Sequence, residues 1–182
     1  GGFFAGSSIE QVAYEGDHLS EYGDVVVVSL NHRLNILGYL DLSAYGEKYY
    51  NSANVGNSDM VAALHWIQDN IAGFGGDPGN VTLFGQSGGG MKVYSLMNTP
   101  AAEGFFHKGI IQSGVIEEGK KEAEDDGTAI VEALLTELKL ESVEDLETIP
   151  YYFLAEAYNK VSPKLQEKGL YVGGEPRANS WY

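Results

Sequence analysis

The sequence predicts an α/β fold with a mostly parallel central sheet, and three observations carry that prediction. Strand-like and helix-like segments alternate through residues 1–116. One strand candidate, Val25-Val26-Val27-Val28, is a continuous β-branched run without polar alternation. Such a run suits a strand buried on both faces. A segment further on, residues 57–71, repeats apolar side chains at three- and four-residue steps, as one helix face does.

The chain opens on Gly1-Gly2-Phe3-Phe4-Ala5-Gly6, a glycine-rich loop. The first strand is expected over Asp24–Ser29, with Asn31-His32-Arg33 leaving its C-terminal end. Met60, Ala63, Leu64, Ile67 and Ile71 define the apolar face of the following helix, with Ser58 as its N-cap. Gly73, Gly75, Gly76 and Pro78 stop it. Asn80–Phe84 reads as a second strand, Met91–Met97 as a helix and Gly109–Gln112 as a third strand. This order is that of a parallel sheet with right-handed crossovers.

From about residue 117 the texture changes. Helices are expected over 128–139 and 151–160, the first with Ile130, Val131, Leu134, Leu135 and Leu138 as its stripe. The expected organisation is one domain, with residues 1–116 as sheet core and 117–182 as a helical, acidic segment of it.

Net charge is −15, and the chain is 43% hydrophobic. The composition is that of a folded chain and not a disordered one. The acidic surface repels phosphates, so neither nucleic acid nor an anionic membrane is an expected partner. No apolar run is as long as a membrane span. There is no cysteine, which excludes disulfides, thiolate nucleophiles and cysteine-ligated zinc. No metal or cofactor is expected. The lack of cysteine weakly favours a reducing cytosol, though many secreted bacterial proteins share it. Gly1 is not a natural start, and we expect the true N-terminus to lie upstream.

The motif that carries chemistry is Gly85-Gln86-Ser87-Gly88-Gly89. A serine hydroxyl is a poor nucleophile until it is placed and activated. A sharp strand-to-helix turn places it, at the cost of backbone strain. Glycines two positions before and after let strand and helix approach. The pattern alone is weak, because glycine is 24 of the 182 residues. The context strengthens it: Val81–Phe84 precede as a strand and Met91–Met97 follow as a helix.

The stretch from Gly73 through Gly90, GFGGDPGNVTLFGQSGGG, closely resembles the type-B carboxylesterase family of para-nitrobenzyl esterases and cholinesterases. Gly1-Gly2-Phe3, Asn31-His32-Arg33-Leu34, Asn54–Asp59, Ala63–Ile67 and Ile111–Gly114 match in family order and spacing. The resemblance implies an α/β-hydrolase fold and hydrolysis of small-molecule carboxylic esters through an acyl-enzyme. It maps the nucleophile onto Ser87 and the oxyanion-hole amides onto Gly1, Gly2 and Gly88. Preorganised amides of that kind are worth several kcal/mol to a tetrahedral intermediate. Arg33 matches a family arginine that pairs with an upstream acid absent here, and Ser113 matches a serine near the triad acid. Two positions depart from the usual pattern: Gln86 stands where many members carry Glu, and Gly88 where many carry Ala.

The family order is Ser, then an acid, then a distant His. None of His18, His32, His65 and His107 matches that histidine. His32 is the best in-chain candidate because it leaves a strand at the carboxyl edge, where α/β sites form; a structural role is favoured for it. His65 reads as a helix-face residue, His107 sits at the wrong edge, and His18 reads as a surface loop residue. The expectation is therefore a fragment of a longer enzyme, inactive alone. Competing readings are an amidase or peptidase on the same motif, and a non-catalytic adhesion-type homologue. The latter usually loses the nucleophile, whereas Ser87 is retained. Tyr39, Tyr45, Tyr49 and Tyr50 cluster in a loop that either borders a substrate pocket or faces solvent.

Overall fold

The computed structural model describes residues 1–114, 127–170 and 172. Its centre is a parallel pair of strands, β1 (Thr82–Gln86) and β2 (Lys108–Gln112), in the register Thr82↔Lys108 to Gln86↔Gln112. Before them come helices α1 (Asp17–Gly23), α2 (Asn35–Tyr39) and α3 (Val55–Asn70). Helix α4 (Gly88–Met97) connects β1 to β2, and α5 (Thr128–Leu138) and α6 (Tyr151–Gln166) follow. A helix between adjacent parallel strands is the crossover that parallel pairing requires. Helix α4 packs against both strands.

Two apolar clusters hold these elements. Met60, Val61 and Leu64 of α3 pack with Leu96 of α4 and Ala102. Ile130, Val131 and Leu134 of α5 pack with Leu154, Ala157 and Tyr158 of α6, and with Ile36, Leu40 and Tyr49. The last three come from the segment ahead of α3, so α5 and α6 are seated on the first part of the chain. Fully burying side chains of this size contributes about 1.5–3 kcal/mol each.

Several expected boundaries move. Helix α3 starts at Val55 with Asn54 as N-cap. Ser58 lies inside the helix, and its hydroxyl donates to the Asn54 carbonyl at 3.0 Å. Helix α4 starts at Gly88, three residues before the expected Met91, because the turn at Ser87 feeds directly into it. Helix α6 runs to Gln166, through Pro163. Proline removes the amide that would bond Asn159, and the Ser162 hydroxyl faces that carbonyl instead, at 3.5 Å. His18 sits in α1 and not in a loop. The change of texture near residue 117 lies outside the described residues.

The strand expected over Asp24–Ser29 is the main correction. The segment joins no sheet among the described residues, and Val25, Val26 and Val28 are exposed, at 47%, 41% and 39%. Only Val27 is partly covered, lying against Gly16. β-branched residues favour an extended backbone, but a strand also needs a ladder partner. The described residues supply none. The sheet itself keeps an open face, with Phe84 54% and Ile110 52% exposed.

Candidate active site

Ser87 is the single residue between the end of β1 at Gln86 and the start of α4 at Gly88. Its backbone lies at φ 56, ψ −125, a positive-φ conformation that a residue with a side chain occupies only under strain. The surroundings hold it there. The Ser87 amide donates to the Gln112 carbonyl at 2.8 Å, carrying the β1–β2 ladder one step further. The Ser87 carbonyl accepts from Met91 at 3.1 Å, in the first turn of α4. The side chain stands exposed at the carboxyl end of the strand.

Glycine at position 85 is required by contact. A Cβ there would stand 2.4 Å from the carbonyl carbon and oxygen of Gly89, inside any permitted approach. On the β2 side, Gly114 is as close to Gly90: a Cβ on Gly114 would lie 2.5 Å from the Gly90 Cα. Ser113, just before it, also has positive φ, at 53°. Both strands therefore turn sharply at the same edge, with Ser87 and Ser113 exposed there.

The loop 1–3 lies against the start of α4. A Cβ on Gly88 would stand 2.7 Å from the Gly2 Cα and 2.9 Å from the Gly1 carbonyl oxygen. The Gly1 nitrogen lies 3.1 Å from the corresponding position on Gly89. The structure thus brings together Ser87, Gly88, Gly1 and Gly2. All three carbonyls of the loop are held. Lys92 Nζ donates to Gly1 at 2.9 Å and to Gly2 at 2.7 Å, and the Asn35 amide donates to Phe3 at 2.8 Å. The Lys92 ammonium also lies over the buried Phe3 ring, 4.7 Å from its centroid, and Tyr39 meets that ring edge-on.

Lys92 was not singled out in the sequence. It is only 7% exposed, and burial pulls its pKa down to about 8. A signal was present: it is the one charged residue in the Gly88–Met97 helix.

Arg33 pairs with Asp59, an acid in α3. Its Nε and Nη2 donate to the two Asp59 oxygens at 2.9 and 2.7 Å, and its amide donates to Oδ2 at 2.8 Å. The guanidinium bonds hold the Asp59 carboxyl below its usual range. The histidines do not assemble with the serine. Among the described residues, Ser87 Oγ makes no hydrogen bond to a histidine. His32 Nδ1 donates to the Arg33 carbonyl at 3.0 Å, and burial followed by the charge of Lys92 lowers its pKa. His107 accepts from the Val81 amide at 3.1 Å, at the opposite end of β1. His65, on the exposed side of α3, lies tilted against Phe105, with ring centroids 3.9 Å apart. Of the tyrosines, Tyr49 is buried with α5 and α6, its hydroxyl donating to Glu147, while Tyr50 faces solvent.

A strained serine between a parallel strand and a helix, with a glycine loop against the helix start, defines an enzyme-like site of the α/β-hydrolase class. The comparisons agree on the fold. An esterase structure from the anaerobe Clostridium hathewayi, described as able to hydrolyze aliphatic aromatic polyesters, superposes with a TM-score of 0.87 and 54% identity over all of this chain and 39% of its own. The Geobacillus stearothermophilus carboxylesterase EST55 superposes at 0.79 with 36% identity, covering 95% of this chain and 36% of its own. The para-nitrobenzyl esterase of Bacillus subtilis is 43% identical over 153 residues, 80% of this chain and 31% of the relative.

The carboxylesterase family matches residues 1–167, and the chain belongs to that family. It spans well under half the length of the relatives named above.

Proposed function

We propose that the protein is a serine carboxylic-ester hydrolase acting through an acyl-enzyme on Ser87. The observation that supports this most is the strained, positive-φ Ser87 backbone at the β1–α4 junction, with Gly88 and Gly2 in contact beside it. Ser87 Oγ attacks the ester carbonyl as a general base takes its proton. The tetrahedral oxyanion accepts hydrogen bonds from the amides of Gly1, Gly2 and Gly88. Collapse expels the alcohol, which takes up the proton, and water then releases the acid. Gly88 opens α4, where free amides and the helix dipole favour negative charge.

The base and its acid belong, in this reading, to parts of the protein outside these 182 residues, and the chain as a whole is part of a single domain. Ser113 and Arg33 then act by support: Ser113 at the neighbouring strand end, Arg33 by tying residues 31–33 to α3. Small-molecule carboxylic esters are the proposed substrates. The identity to the Clostridium hathewayi esterase adds aliphatic aromatic polyesters as a class to assay.

A fluorophosphonate probe on the full-length protein tests the assignment. Labelling at Ser87, with loss of p-nitrophenyl acetate turnover in Ser87→Ala, is the expected result. Turnover that survives Ser87→Ala overturns it. The isolated 182-residue chain is expected to hydrolyse the ester no faster than its own Ser87→Ala variant.

A further inference from the structure

We infer that Lys92 is a positioning residue of the oxyanion hole, gripping the carbonyls of Gly1 and Gly2 so that the Gly2 amide, one of the proposed donors, points to the reacting centre. The inference rests on the ester-hydrolase reading of Ser87 and names a residue for it outside the Gly and Ser motifs.

The argument begins with the peptide bond. A trans peptide is planar, with its C=O and N–H directed to opposite sides. The carbonyl of Gly1 and the amide of Gly2 belong to one such plane. The carbonyl of Gly2 and the amide of Phe3 belong to the next. Lys92 Nζ draws both carbonyls to one point, at 2.9 and 2.7 Å. Both amides are thereby turned away from Lys92. Neither glycine has a side chain to fix its own torsions, and a free Gly-Gly pair rotates readily. The ammonium supplies the constraint that the sequence of the loop lacks. It also polarises the Gly1–Gly2 peptide, which makes the Gly2 N–H a stronger donor.

Burying the lysine is costly, and its surroundings offset the cost in a specific way. It has two carbonyl acceptors and the Phe3 ring face, and among the described residues no acidic side chain forms an ion pair with it. A carboxylate partner would leave its two carbonyl bonds optional. Here they carry the charge, so position of the loop and solvation of the ammonium are one arrangement. Lys92 sits on α4, the helix that Ser87 opens, so loop and nucleophile share one rigid support.

The test uses the full-length protein. Lys92→Met should lower kcat on p-nitrophenyl acetate about a hundredfold, with KM changed less than about threefold, because an oxyanion donor acts on the transition state. Affinity for a trifluoromethyl ketone, which forms a tetrahedral adduct, should fall in parallel. Lys92→Arg should restore most of the kcat, and Lys92→Gln should not. If Lys92→Met does not fold, the Arg and Gln variants decide: equal losses in both sink the inference. A folded Lys92→Met with native kcat also sinks it. Retained Ser87-dependent turnover in that variant leaves the ester-hydrolase reading standing, whereas turnover independent of Ser87 removes that reading itself.

Discussion

Gly88 and Gly2 meet backbone to backbone, with 2.7 Å between the place a Cβ would occupy on Gly88 and the Cα of Gly2. Many relatives in the resemblance carry Ala at this position, so the loop here sits where their methyl group would be. Gly88→Ala must push the exposed Gly1–Gly2 pair away from α4. The fold should tolerate this, since an exposed loop can give. The amides should not, because displacements of about 1 Å at a reacting centre cost up to 10²-fold. We expect kcat/KM to fall about tenfold or more while the melting midpoint moves little. Unchanged kcat/KM would show that the loop does not contribute donors.

Gly85 faces a different neighbour. The clash there is with the Gly89 carbonyl at 2.4 Å and the Gly90 nitrogen at 2.9 Å, both inside the elbow's own backbone. Nothing can yield without moving the β1–α4 junction. Gly85→Ala should destabilise the protein by more than about 3 kcal/mol. Gly73→Ala, with no neighbour within 4 Å, is the control and should stay within about 1 kcal/mol. Urea denaturation of both variants measures the difference, and similar midpoints would refute the packing argument.

The elements that were legible in the sequence are those whose signal is local. The period of Met60, Leu64 and Ile67 reports one helix face, and their burial matches it. The strain at Ser87 was legible because a strand running straight into a glycine-flanked serine leaves few backbone routes. What escaped depends on partners distant in sequence. The valine run has strand chemistry but no ladder among the described residues. Asp59 entered only as the end of the matching stretch Asn54–Asp59, and folding brings it back to Arg33, 26 residues earlier. Lys92 reads as a surface cation until Gly1 and Gly2 close over it, some 90 residues away. Electrostatic partners of this kind have no sequence period.

The Arg33–Asp59 pair gives an acid-side prediction. Native Asp59 titrates below its usual value of 3.8, chiefly because Arg33 bonds it. The unfolded chain therefore takes up the proton first as pH falls. The pair's stabilisation is complete above the ordinary carboxylate range and is lost as pH drops through the native pKa. Arg33's side chain is 55% exposed, so solvent screening limits the contribution to about 1 kcal/mol at neutral pH. Asp59→Asn should lose that amount at pH 7, and the gap to the native protein should close as the solution is acidified. A gap independent of pH would mean that the carboxylate charge is not what matters.

Lys92 predicts opposite pH trends for activity and stability on the alkaline side. Its pKa of about 8 lies below the ordinary 10.5 because burial disfavours the ammonium. The folded protein therefore releases this proton before the unfolded chain does. By linkage, the burial cost is fully present below about pH 8 and is relieved as pH rises above it. Between pH 8 and about 9.5 this contributes a gain of about 2 kcal/mol in unfolding free energy, a gain absent from Lys92→Met. Activity should move the other way. The neutral amine grips two carbonyls less firmly, so kcat should decline above about pH 8, once spontaneous ester hydrolysis is subtracted. Among the described residues His32 is the titratable side chain facing Lys92; burial, and after it the charge of Lys92, lowers its pKa. Replacing His32 with Gln should therefore leave the alkaline limb in place, whereas Lys92→Arg, which keeps its charge throughout this range, should flatten it. An alkaline limb unchanged in Lys92→Arg would assign the titration to another group and detach the buried lysine from the reaction.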